Sequence, residues 1–145
     1  MNRAERRRLD KERRKNKASQ PVALEELIGQ AIRKLQDGRV NQADQLFSKL
    51  VKAYPNEPTS LHFAGVTKYQ LGLYPEALEL LDNSVKIAPT YAEAHNSLGI
   101  VYLEQRNYET AYQCFSKAIA IKSDYANGYT NLGNALKGLK KISDA

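Results

Sequence analysis

The side chains best suited to chemistry in this sequence are few: His62, His95 and Cys114, with the amides Asn131 and Asn134 near the C-terminal end. A zinc site or a nucleophile with its base needs several such groups to converge. Two histidines and one cysteine, with no Asp/Glu cluster at ligand spacing, suggest neither, so the expectation is no enzyme, no metal and no cofactor. The stretch "GNALKGLK" (133–140) has the two glycines of a phosphate loop, but the Lys-Ser/Thr that should follow the second is absent and no strand precedes it. Cys114 beside Phe115 reads as a small apolar filler, His95 as a packing residue and His62 as a polar residue of a groove. The chemistry that remains is recognition, by amides that both donate and accept and by apolar side chains on helix faces.

What must position these groups is an internal repeat. Blocks of 34 residues begin at Leu24, Pro58, Ala92 and Ala126, three complete and the fourth reaching Ala145. Counted within a block, position 8 is Ala31, Gly65, Gly99 and Gly133, and position 20 is Ala43, Ala77, Ala111 and Ala145. Position 24 is Phe47, Leu81 and Phe115. Apolar residues recur at helical spacing over positions 1–14 and 18–30, so each block predicts two helices. "LGLYP" (71–75) is the clearest connection, with Gly72 free to take positive φ and Pro75 suited to a first helical turn. Pro58 opens a helix, while Pro55 and Pro89 end one. So short a connection makes the paired helices antiparallel. Glycine inside a helix costs about 1 kcal/mol against alanine; its recurrence at position 8 is expected to mark a close crossing with small residues on both partners, Leu132-Gly133 included.

The pattern resembles the tetratricopeptide repeat (TPR) family: His95, Leu98, Gly99, Tyr102, Ala111, Phe115 and Ala118 match its motif best. Position 4, aromatic in the motif, is Leu27, Leu61 and His95 and becomes Tyr129 only in the last block, and Gln30-Ala31 replaces Leu-Gly in the first. The resemblance implies an all-α, right-handed superhelical solenoid of antiparallel helix pairs, with repeats at 24–57 (divergent), 58–91, 92–125 and a partial one at 126–145. It further implies a scaffold whose concave wall, built from the first helix of each pair, binds a protein or peptide. The residues carried onto that wall are Ile28, Ile32, His62, Val66, Tyr69, Asn96, Ile100, Leu103, Thr130, Asn134 and Lys137. Family members that clamp a chaperone's C-terminal carboxylates need Lys, Arg and Asn there. Ile28, Ile32, Phe63, Glu93 and Ser97 occupy those slots here, which disfavours that sub-type. "AHNSLGIVY" and "ANGYTNLGNALK" are closer in phrasing to the long arrays of O-GlcNAc transferase-like proteins. Those arrays imply a ladder of position-6 asparagines bonding a threaded peptide, and only Asn131 fills that slot. The alternative reading is therefore a substrate-recruiting arm of a larger transferase.

Charge is concentrated at one end. Residues 1–20 hold nine Lys/Arg and three Asp/Glu, which accounts for the whole net charge of +6 and leaves the repeats neutral. Residues 1–23 are expected to form a basic, mobile tail, with contact between residues 3–17 and a polyanion as the sharper alternative. The lone cysteine, the lack of Asn-x-Ser/Thr acceptors and the charged N-terminus point to a cytoplasmic setting, and no run is long and apolar enough to span a membrane. Ala145 falls two or three residues into the second helix of block four. Leu132, Leu136 and Leu139, with Ile142 on the turn beyond, are then expected to lie uncovered, so that the array continues or the end self-associates.

Overall fold

The computed structural model describes residues 1–18 and 23–144. The position assigned to Ala145 and part of the expected tail, residues 19–22, lie outside that range. Eight helices and no strand occur among the described residues: α1 (Arg3–Ala18), α2 (Leu24–Gln36), α3 (Val40–Ala53), α4 (Pro58–Gln70), α5 (Tyr74–Ile87), α6 (Ala92–Glu104), α7 (Tyr108–Ile121) and α8 (Ala126–Ser143). Each helix from α2 to α8 packs on its sequence neighbour, and α2, α4, α6 and α8 also touch in succession. The result is a right-handed solenoid of antiparallel helix pairs, in which α2, α4, α6 and α8 form one wall and α3, α5 and α7 the other.

The small residues at position 8 of blocks two and three lie close against the second helix of their pair. A methyl group on Gly99 would lie 2.5 Å from the Phe115 ring, and one on Gly65 would lie 2.6 Å from Leu81 Cγ. Glycine therefore makes room chiefly for the large residue at position 24, and at Gly65 for the Ala77 backbone at position 20 as well, whose carbonyl oxygen would lie 3.2 Å from the added methyl. Phe47, Leu81 and Phe115 are fully buried as a result, as are Ala43, Ala77 and Ala111. Gly133 departs from the rule, because nothing lies within 4 Å of where its side chain would be. In block four the close contact falls instead at Gly138, which admits the Tyr108 ring of α7.

The turn inside each pair depends on a left-handed residue at position 15: Gly38 and Gly72, both with φ of 76°, and Arg106 with φ of 60°. In block four this position is Lys140, and α8 runs straight through it for 18 residues, where the other first helices have 13. The expected turn is thus absent, and Ile142 lies in the last helical turn, 60% exposed. Among the described residues nothing packs within 4 Å of where a Gly133 side chain would be. Leu136 is exposed, while Leu132 and Leu139 are partly covered.

The N-terminal segment is described over residues 1–18. It is helical over Arg3–Ala18, and its start is closed by a reciprocal cap: the Asn2 N–H donates to Glu5 Oε2 (3.0 Å) and the Glu5 N–H to Asn2 Oδ1 (2.8 Å). An Arg8–Glu12 pair at 3.9 Å adds an i,i+4 contact. Among the described residues α1 packs against no other helix.

Candidate functional site

Along the wall of first helices, polar side chains are joined to one another between repeats. His62, at position 5 of α4, reaches the Ser97 hydroxyl at position 6 of α6 through Nε2 (2.9 Å) and the Tyr91 hydroxyl through Nδ1 (2.8 Å). One repeat later, Asn131 Nδ2 donates to Asn96 Oδ1 at 3.0 Å. Near the far ends of α4 and α6, the Tyr69 hydroxyl donates to Glu104 at 3.2 Å. Apart from His62–Tyr91, each of these links spans 35 residues, one repeat plus one position, because side chains at i and i+35 meet where neighbouring first helices lie side by side. Ile28 and Phe63 hold the same two positions in the preceding repeats and belong to one apolar cluster.

These bonds correct the placement of several wall residues. His62 is only 5% exposed and is a structural bridge, not an open groove residue. Burial holds its pKa down to about 4, against a smaller opposing pull from Glu93, so the ring is neutral at pH 7. Asn96 and Ile28 are likewise buried, and the Asn131 amide is already committed to Asn96. Thr130, Asn134 and Lys137 are exposed on α8, with the Thr130 hydroxyl turned back onto the Ala126 carbonyl (3.3 Å). Leu103 packs into the α6–α8 core and Ile32 against the first apolar cluster, both partly exposed.

Three of the expected residues do converge. Val66 and Tyr69 of α4 and Ile100 of α6 line a notch of about 100 Å³ with Gln70 and Ser97, floored by Leu81 and Val101. The rim is partly exposed; of its polar members, Tyr69 and Ser97 are already hydrogen-bonded and Gln70 is exposed. A notch of this kind accepts an apolar side chain and offers no fixed cation to a carboxylate.

The other reactive groups are spent on structure. His95 Nε2 donates to the Pro89 carbonyl at 2.8 Å, and Tyr129, at the same repeat position, donates its hydroxyl to the Ser123 carbonyl at 3.0 Å. Histidine thus stands in for the motif's aromatic by making the equivalent bond to the end of the previous repeat. Burial pushes the Cys114 thiol up to about 11, so it stays protonated. Among the described residues no three His, Cys, Asp or Glu side chains gather as a metal site.

Three family models match the chain: Tetratricopeptide repeat at residues 23–57, TPR repeat at 65–106 and Tetratricopeptide repeat at 92–125. The chain is a tetratricopeptide-repeat protein. Its TPR fold is shared with the Sgt2 TPR domain from Aspergillus fumigatus (TM-score 0.79, 15% identity, covering 84% of this chain and 82% of that one). It is also shared with the first TPR of Spaghetti (RPAP3) bound to the HSP90 peptide SRMEEVD (TM-score 0.76, 14% identity, 81% and 93%). A mutant of the Thermobaculum terrenum O-GlcNAc transferase gives a TM-score of 0.75 at 24% identity over 78% of this chain, which spans 22% of that one. No match was found among curated protein sequences. These likenesses are of TPR fold. No helix among the described residues is long and apolar enough to cross a membrane.

Reading the sequence block by block missed the cross-repeat bonds. The signal was present as polar pairs 35 residues apart, His62 with Ser97 and Asn96 with Asn131, a spacing that falls between blocks. Position 5 reads as open wall within a single block, whereas it is buried at Ile28, His62 and Asn96 and open only at Thr130.

Proposed function

We propose that the helix pairs at 24–57, 58–91 and 92–125, with 126–145 as an incomplete fourth repeat, act together as a non-catalytic protein-binding module. Its partner is an extended peptide or helix that lies along the wall of first helices and inserts an apolar side chain between α4 and α6. The observation that carries this reading is the Val66–Tyr69–Ile100 notch, set in a wall where Tyr69 and Ser97 are already paired with neighbouring side chains. Such a wall loses little entropy when a ligand docks, because its side chains are fixed beforehand. The acidic HSP90 peptide bound by one structural neighbour is not the ligand chemistry favoured here, since Ile28, Ile32, Phe63 and Ser97 stand where cations would be needed.

The second reading, a substrate-recruiting arm of a transferase, is weakened because Asn131 alone fills the position-6 slot and one of its two N–H donors is already given to Asn96. Self-association through the open face of α8 is opposed by Lys140 on that face and Lys137 at its margin, which would meet their like in a second copy.

Peptides selected from a random library on the intact protein test the first reading. Ile100→Asp places a charge in the notch and is expected to weaken binding at least about tenfold, in line with the cost of desolvating an unpaired carboxylate. Val66→Thr, nearly isosteric, is expected to weaken it less, while Tyr112→Asp on exposed α7 leaves it unchanged. Equal effects of the three variants would refute docking in the notch.

A further inference from the structure

Outside the repeats, the residues of α1 form a second surface of a different chemistry. Arg3, Arg7, Lys11 and Arg14 follow one another at i, i+4, i+8 and i+11 and so share one face of the helix, about 16 Å from end to end. All four are exposed, and Asp10 is the acidic residue at their margin; Glu5 and Glu12 lie on the opposite face. The helix that displays them is encoded locally by its Asn2–Glu5 cap and, among the described residues, packs on no other helix. Solubility alone does not account for the choice of cation. Six of the nine basic residues in 1–20 are Arg, whereas only three of the 13 in the rest of the chain are. Arg presents a planar fork that matches phosphate oxygens, and Lys does not.

We propose that this face of α1 binds the phosphodiester backbone of a nucleic acid, without sequence preference. A duplex carries one negative charge per about 1.7 Å of its axis, so a cationic face of this length meets several phosphates at once. A lipid surface suits α1 less well. A helix that lies in a membrane interface needs an apolar face, and Leu9 is the one large apolar residue within α1.

Fluorescence anisotropy of a short mixed-sequence DNA duplex, titrated with the intact protein, provides the test. With four phosphate contacts, affinity is expected to fall roughly 100-fold between about 50 and 200 mM salt. Reversing the face with Arg7→Glu, Lys11→Glu and Arg14→Glu together is expected to lower affinity by about 100-fold or more. Reversing Lys49, Lys52 and Lys86 to Glu changes the net charge equally on exposed parts of the repeats and is expected to alter affinity less than about threefold. Because α1 contacts no other helix, the face variant keeps its repeats folded, which circular dichroism verifies. Equal losses in the two variants, or no binding by the intact chain at low salt, would overturn the proposal. So would tighter binding to phosphatidylserine vesicles, or competition by polyglutamate as effective as by unlabelled duplex; these outcomes would assign the face to a membrane or to an acidic protein.

Discussion

Truncating Phe115 to alanine is expected to destabilise the protein by about 3–5 kcal/mol, read as a lowered denaturant midpoint. The ring is fully buried between α6 and α7, in the cluster formed by Ala111, Ala135 and their half-buried neighbours Ile100, Leu103 and Leu132. Its removal leaves a cavity that the backbone of Gly99 cannot fill. The same contact fixes the sign of a smaller change. Gly99→Ala gains about 1 kcal/mol of helix propensity, but its methyl would sit 2.5 Å from the ring, and overpacking of this kind costs about 1–3 kcal/mol, so the net effect is destabilising. Gly133→Ala meets nothing within 4 Å and keeps the propensity gain, so it is expected to stabilise. Two substitutions with the same name, at the same repeat position, should thus act in opposite directions.

The second large effect is a pH dependence centred on His62. Its pKa is about 4 in the folded protein and 6.5 in an unfolded chain. Between those values the unfolded chain takes up a proton and the folded one does not, so falling pH favours unfolding. The stability supplied by the neutral ring is complete above pH 6.5, drains as pH drops toward 4 and is gone below it, a total of about 3 kcal/mol. The environment enforces this state: Tyr91 and Ser97 hold both ring nitrogens, burial keeps the Tyr91 phenol protonated, pushed up to about 12, and Glu93 supplies only a partial counter-charge from a position shared with Lys122. His62→Gln is expected to flatten the stability–pH curve over this window relative to the native chain, whatever its effect at pH 7. Superimposable slopes would show that the buried ring is not the titrating group.

Much of the fold was legible because it depends on spacing. The period of 34 residues put helix starts at Leu24, Pro58, Ala92 and Ala126, and α2, α4, α6 and α8 begin at these residues. Gly72 takes the positive φ that its turn requires. The small residues at position 8 were legible as a close contact, but the tightest partner was not, since a one-dimensional pattern does not rank the Leu81 side chain above the Ala77 backbone that also lies over Gly65. The course of α8 was readable in principle: position 15 is glycine twice and then Arg106, and Lys140 carries no instruction to turn. So was the helical N-terminus, through Asn2 and Glu5 at capping-box spacing.

The candidate site was less legible for a physical reason. Exposure of a first-helix residue is decided by the adjacent repeat, whose side chains arrive with an offset of one position. His62 and Asn96 therefore pass from open wall to buried bridge, while Val66, Tyr69 and Ile100 stay half-exposed where Ser97 and Gln70 leave a gap between the helices. Periodicity identifies the face of a helix that looks toward the wall. It does not identify which residues of that face are consumed in joining the repeats.

The most direct test of this account is to follow backbone amide chemical shifts while a library-selected peptide is titrated into the intact protein. Shifts concentrated at Val66, Tyr69, Ser97 and Ile100, and falling away toward α3, α5 and α7, are the predicted result. Shifts confined to those second helices, or to the exposed face of α8, with the α4–α6 notch unmoved, would contradict it.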